Sequence, residues 1–167
     1  MEKTALIQQL INAYSEAYVK LGHSSLMGKI VALLITSPEP LSLDDISEQL
    51  QMSKGPVSQI SRKLKDHNLI EKVWIPGERK DFYKAAPDIF GQAFANYASS
   101  MRRNMELGER FSALAEELDV QDEQAIHLKN RMDEMKMFYE MMDEYNRSFL
   151  KAWKENVKPE LKETPQK

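Results

Sequence analysis

Two helix-start signals fall close together in LSLDDISEQLQMSKGPVSQISRKLKD, residues 41–66, and they leave few ways to fold that segment. Ser42 is followed by Asp45. At that spacing a serine hydroxyl accepts from a first-turn N–H while the later acidic side chain reaches back to the serine backbone. Ile46 and Leu50 then form a buried pair one helical turn apart, so a short helix follows. Gln51 and Met52 leave room for a turn, and Ser53 caps a second helix. Pro56 lies in its first turn, where a missing N–H costs nothing because that donor has no intrahelical partner. The second helix turns Val57, Ile60 and Leu64 inward, with Leu69 and Ile70 closing its far end. Lys54, Ser58, Gln59, Arg62 and Lys63 line its other side.

The flanking sequence is helical apart from one hairpin. Leu6, Leu10, Ile11, Tyr14, Ala17, Tyr18 and Leu21 recur at helical steps and predict a first helix over 4–20, broken by Gly22. A second helix over 25–36 is apolar nearly all round and therefore central. Ser37-Pro38-Glu39-Pro40 ends it, since proline cannot continue the ladder and restricts the residue before it. After the segment already described, residues 71–75 and 81–85 read as two strands around the turn Pro76-Gly77-Glu78. Residues 89–118 return to helical spacing through Phe90, Phe94, Tyr97, Met101, Met105, Phe111, Leu114 and Leu118. One long helix is expected from 123 to 157.

The expected fold is therefore mostly α with a small β-hairpin: a winged helix-turn-helix domain plus long C-terminal dimerisation helices. Residues 1–37 supply N-terminal helices that pack on the core and the dimer interface. Residues 38–88 form the winged domain, 89–157 the helical dimerisation region, and 158–167 a disordered tail.

Composition narrows the function classes. With no cysteine there is no thiolate catalysis, disulfide framework or cysteine-ligated metal site. The three histidines, His23, His67 and His127, are scattered without metal-ligand spacing, and no phosphate-binding glycine loop or nucleophile elbow is present. No catalytic residue, metal or cofactor is expected. The N-terminus lacks the layout of a signal peptide, and no apolar run approaches the roughly 18 residues of a membrane span, so a cytoplasmic location without a membrane partner is expected.

The net charge of −3 argues against generic affinity for nucleic acid, but its distribution is uneven. Residues 53–84 carry eight Lys/Arg against four Asp/Glu, whereas residues 101–157 carry nine against thirteen. A basic segment beside an acidic one assigns one of them to an anion. The second helix of a helix-turn-helix fits the major groove of double-stranded DNA and presents its N-terminal half to base edges. Ser58 and Gln59 suit hydrogen bonds to bases, and Arg62 suits guanine. Lys54, Lys63 and Lys65 suit phosphates, as do Ser42 and Ser53 at the helix starts. Arg79 and Lys80, near the hairpin tip, suit the adjacent minor groove. The rival reading is a winged-helix protein-interaction module of the transcription apparatus.

Residues 41–86 resemble the DNA-binding core of the MarR-type winged-helix regulators. MSKGPVSQ, then L-I-x-K-V and G-E-R-K-D-F-Y, are similar to the GbsR branch. Gly77 stands where the family has an aspartate two positions before the wing arginine, here Arg79. The resemblance implies a homodimeric transcriptional regulator, a repressor in some relatives, reading a pseudo-palindromic operator. It also implies control by a quaternary-ammonium osmolyte in some relatives. Such a cation is held by aromatic faces, and Tyr14, Tyr18, Trp74 and Tyr97 are the candidate effector-binding residues. For the dimer interface the candidates are Met132, Met135, Tyr139, Met142, Tyr145, Phe149 and Trp153, a stripe too long to bury on one small domain.

Overall fold

The computed structural model describes residues 2–118 and 121–157. The tail expected to be disordered, 158–167, lies outside the described residues. The chain divides into two compact units, Met1–Ile89 and Phe90–Lys167.

In the first unit, α1 (Lys3–Lys20) and α2 (Ser25–Thr36) pack together. Ser24 caps α2 by accepting from the Met27 N–H at 3.3 Å. Leu26, Met27, Ile30, Val31, Leu33 and Leu34 are all buried, so α2 is central because apolar side chains leave it in every direction. The chain then forms β1 (Leu41–Ser42), α3 (Leu43–Leu50), α4 (Lys54–Asp66), β2 (Ile70–Val73) and β3 (Phe82–Ala85). The expected hairpin is present, but β1 joins it to make a three-stranded antiparallel sheet in the order β1-β3-β2. Tyr83 pairs with Leu41 on one side and Lys72 on the other. One core runs beneath α2, α3, α4 and the sheet. Ile30, Ile46, Val57, Leu64 and Ile70 are sealed from solvent at its centre, each burial worth roughly 1.5–3 kcal/mol. The architecture is a winged helix.

The second unit is a helical hairpin. α5 (Ile89–Ala115) begins at the last residue of the first unit, and α6 (Glu123–Ala152) runs antiparallel to α5. Its register is fixed at three places. Arg102 pairs with Asp143, Ser112 donates to Asp133 at 2.6 Å, and Lys129 pairs with Glu116 at 2.5 Å. Between them the helices approach so closely that a Cβ on Gly108 would lie 3.1 Å from the Lys136 Cα. Small side chains make this possible: Ala98, Gly108, Ser112 and Ala115 are buried, while the bulky residues that set the periodicity of α5, among them Phe90, Tyr97, Phe111 and Leu114, are exposed. Two boundaries differ from expectation. α5 stops at Ala115 rather than 118, because beyond Glu116 the amides reach back only three residues, Glu117 N–H to the Leu114 carbonyl at 3.3 Å and Leu118 N–H to the Ala115 carbonyl at 3.2 Å. α6 does not run unbroken to 157; from Trp153 it widens into a π turn.

No helix among the described residues is long and apolar enough to cross a membrane. No group of three or more His, Asp or Glu among them is placed to hold a metal ion.

Candidate nucleic-acid interface

α3 and α4 meet through a turn in which Gln51 adopts the left-handed conformation, φ 52°. The start of α3 forms as its spacing predicts. Ser42 Oγ accepts from the Asp45 N–H at 3.2 Å, and Asp45 Oδ2 accepts from the Ser42 N–H at 2.8 Å and from its hydroxyl at 2.6 Å. These hydrogen bonds hold the Asp45 carboxyl below its ordinary range. They also correct one expectation. Ser42 is 2% exposed with its hydroxyl engaged on both sides, so its side chain belongs to the scaffold at the start of α3 and offers almost no surface for a phosphate.

Ser53 is a second correction. It occupies the cap position of α4, yet its side chain makes no capping bond. The third helical residue is Pro56, which has no N–H to offer, so the usual partner of the cap oxygen is missing. Ser53 is left exposed at the helix start.

Along α4, Val57, Ser61 and Leu64 are buried and Ile60 is half-buried. Ser61 was not expected inside; it is fully buried, with its hydroxyl unpartnered among the described residues, on a helix packed against α2 and α3. The opposite side carries Lys54, Gln59, Arg62, Lys63 and Lys65, all exposed, with Ser58 half-buried beside them. Lys54, Ser58 and Arg62 follow one another at four-residue steps, so they stack along a single face. In the wing, Gly77 takes φ 86° and the Glu78 N–H closes the turn on the Ile75 carbonyl at 3.1 Å. Arg79 and Lys80 stand exposed just beyond it. Arg62, Lys63, Lys65 and Arg79 make no ion pair with any described carboxylate.

Lys54 and Lys80 do make one, with the same residue. Asp44, in the first turn of α3, places Oδ1 2.6 Å from the Lys54 Nζ and Oδ2 2.9 Å from the Lys80 Nζ. The two hydrogen bonds lower the Asp44 carboxyl to about 2 and raise the Lys80 ammonium. Sequence reasoning passed over Asp44, because an acidic residue in a first helical turn is ordinary; its neighbours come from the next helix and from the wing.

The candidate effector residues do not form a cage within the first unit. Tyr14 and Tyr18 stack on α1, with ring centroids 6.2 Å apart, and both are half-buried against the core. Trp74 is 76% exposed and makes no ring contact among the described residues. Tyr97 belongs to the second unit, beside Phe94. A cavity of about 340 Å³ does open between α1, α2 and α3, but its lining is Gln8, Ile11, Lys29, Gln49, Leu50 and Gln51, with no aromatic face to attract a quaternary ammonium.

Of the candidate dimer residues, Met132, Met135, Tyr139 and Met142 on α6 and Trp153 in the π turn are half-buried. Tyr145 and Phe149 are exposed. The most buried residues of α6 are polar, Asp143 and Asn146. Phe138, Met137 and Met141 lie exposed alongside.

The winged fold and its basic face agree with what the chain is similar to. It is 28% identical to the HTH-type transcriptional repressor OpcR of Bacillus subtilis, over 85% of this chain and 86% of that protein. It is 29% identical to the putative HTH-type transcriptional regulator YvaV of the same organism, over 75% of this chain and 73% of that one. A crystal structure of a transcriptional regulator shares the fold, with a TM-score of 0.73 at 18% identity, over 90% of this chain and 99% of that one. No protein-family model matches the sequence.

Proposed function

We propose that this chain is a sequence-specific regulator of transcription that binds double-stranded DNA, a MarR-type repressor of the GbsR branch. The observation that carries the reading is the outer face of α4. Arg62, Lys63 and Lys65 stand exposed on a helix of winged-helix geometry with no ion-pair partner among the described residues, and Arg79, likewise without one among them, extends the positive surface into the wing. Ser58, Gln59 and Arg62 read base edges in the major groove; Lys63 and Lys65 hold phosphates; Arg79 enters the minor groove. A cytoplasmic location goes with this role.

One recognition helix spans only a few base pairs, so the protein works as a homodimer on an inverted repeat. The second copy covers the apolar side chains that α6 leaves in water, Phe138, Met141, Tyr145 and Phe149.

The test is selection of bound sequences from random duplex DNA, with the wild type beside Arg62→Ala and Arg79→Ala. An enriched inverted repeat, relaxed by Arg62→Ala, is the expected result. No enrichment at low salt from folded protein overturns the reading and redirects it to a protein partner.

A further inference from the structure

Lys54 and Lys80 come from different elements, the first residue of α4 and the wing, yet one carboxylate joins them. Asp44 uses a separate oxygen for each ammonium. A DNA phosphate has the same recognition chemistry, with two charged oxygens on one atom. The site that joins recognition helix and wing is therefore already occupied by an anion in the free protein.

The occupation is easily reversed. Asp44, Lys54 and Lys80 are 42%, 62% and 59% exposed in their side chains, and ion pairs in water are individually weak. Asp44 is also favourably placed without the lysines, since negative charge is stabilised in the first turn of a helix. It stays ionised throughout the working pH range because its carboxyl titrates only at about 2.

Building on the DNA-binding reading, we propose that Asp44 is an internal stand-in for a backbone phosphate, and that DNA binds by taking Lys54 and Lys80 away from it. Two consequences follow. The displaced carboxylate lies beside the incoming phosphate and repels it, so Asp44 lowers affinity for every duplex. Once stripped of its lysines, Asp44 also gathers a cation from solution, which offsets part of the counterion release that drives binding. Asp44 thereby restrains the basic face from holding DNA indiscriminately, while the exposed Arg62, Lys63, Lys65 and Arg79 make first contact.

The test is Asp44→Asn, with Asp44→Ser as a second variant, titrated with a random duplex across a salt series and eluted from immobilised heparin in a salt gradient. Thermal melts establish that each variant is folded. The expected result is a gain in duplex affinity of roughly 3- to 10-fold at low salt. The slope of log affinity against log salt steepens by about 1. Elution from heparin shifts to higher salt. In the Asp44→Asn background, Lys54→Ala and Lys80→Ala each lose more affinity than in the wild type. Unchanged or weaker binding by the folded Asn and Ser variants overturns the proposal and makes Asp44 a residue that orients the lysines. If neither wild type nor variant binds duplex DNA but the heparin shift appears, the DNA-binding reading fails while the restraint of the two lysines by Asp44 stands.

Discussion

Gly28 of α2 lies against the carbonyl oxygen of Tyr14 in α1, so close that a Cβ at position 28 would sit 2.3 Å from that oxygen and 3.1 Å from the Ser15 Cα. Both obstacles are backbone, which cannot rotate aside as a side chain can. The contact sets how deeply α1 settles over the central helix that carries the winged domain. Gly28→Ala is expected to force the two helices apart and to destabilise the first unit by about 1–3 kcal/mol, the usual cost of overpacking. This outweighs the 0.5–1 kcal/mol or so that alanine gains over glycine within a helix. Denaturant titration of the wild type and the variant decides it; an equal or higher midpoint for the variant contradicts the close approach.

The second unit has its own internal charge. Asp143 of α6 is 3% exposed in its side chain and accepts from Arg102 of α5 at 3.2 Å and from Arg147 one turn along. Burial pushes its carboxyl up, but the hydrogen bonds from Arg147 and Arg102 together push it further down, and the net direction is down. The folded state therefore releases the proton more readily than the unfolded chain, whose aspartates titrate near ~3.9. The stabilisation is complete above that value and is lost as pH falls through the lower folded one. Asp143→Asn is expected to cost about 1–3 kcal/mol at pH 7. The gap to the wild type should narrow in thermal melts taken below pH ~4. A gap that stays constant down to pH ~2 argues that shape, not charge, holds the hairpin register.

Along α4, neighbouring cations are expected to fail differently. Lys63→Ala should weaken binding to all duplexes alike and flatten the salt slope by about 0.9, the loss of one phosphate contact. Arg62→Ala should cost about 1–3 kcal/mol on the selected operator and little on random DNA, because a base contact is lost. Titrations on both duplexes at several salt concentrations separate the two patterns, and identical behaviour of the two variants would contradict the assigned roles.

The apolar residues left in water on α6 give a prediction about mass. Tyr145, 69% exposed, and Phe149, 53% exposed, lie one turn apart. If a second copy covers them, the wild type sediments near twice 19.3 kDa, and Tyr145→Glu with Phe149→Glu brings it down to the single-chain value without unfolding it. A wild type that sediments as one chain at micromolar concentration removes the homodimer.

Local chemistry accounts for what could be read in advance. α2 and its break at Ser37-Pro38, the capping box of Ser42 and Asp45, the proline-marked start of α4 and the turn at Gly77 all rest on interactions within a few residues. Such interactions act in any context, so α1 to α4 and the two wing strands emerge within a residue or two of their expected limits. Ser53 shows where the rule stops short. The cap position was legible, but the capping bond was not made, because Pro56 removed its partner.

By itself, the sequence determined the order of the helices and the two wing strands, the winged fold and the outward row of Lys54, Gln59, Arg62 and Lys63, since each follows from periodicity, caps and turns. Tertiary structure alone decided three things. It buried Ser61 more completely than Ile60, which packs half-buried against the same core, because α4 lies against α2 and α3. It built the seam between α5 and α6 from Gly108, Ser112, Asp133 and Asp143 and left Phe111, Phe138 and Tyr145 outside, because close approach of two helices selects small side chains and paired polar groups over bulk. It brought Lys80 and Lys54 together on Asp44, because the wing folds back beside the start of α3. In each case the deciding partner is distant along the chain, and periodicity carries no information about which distant faces will meet.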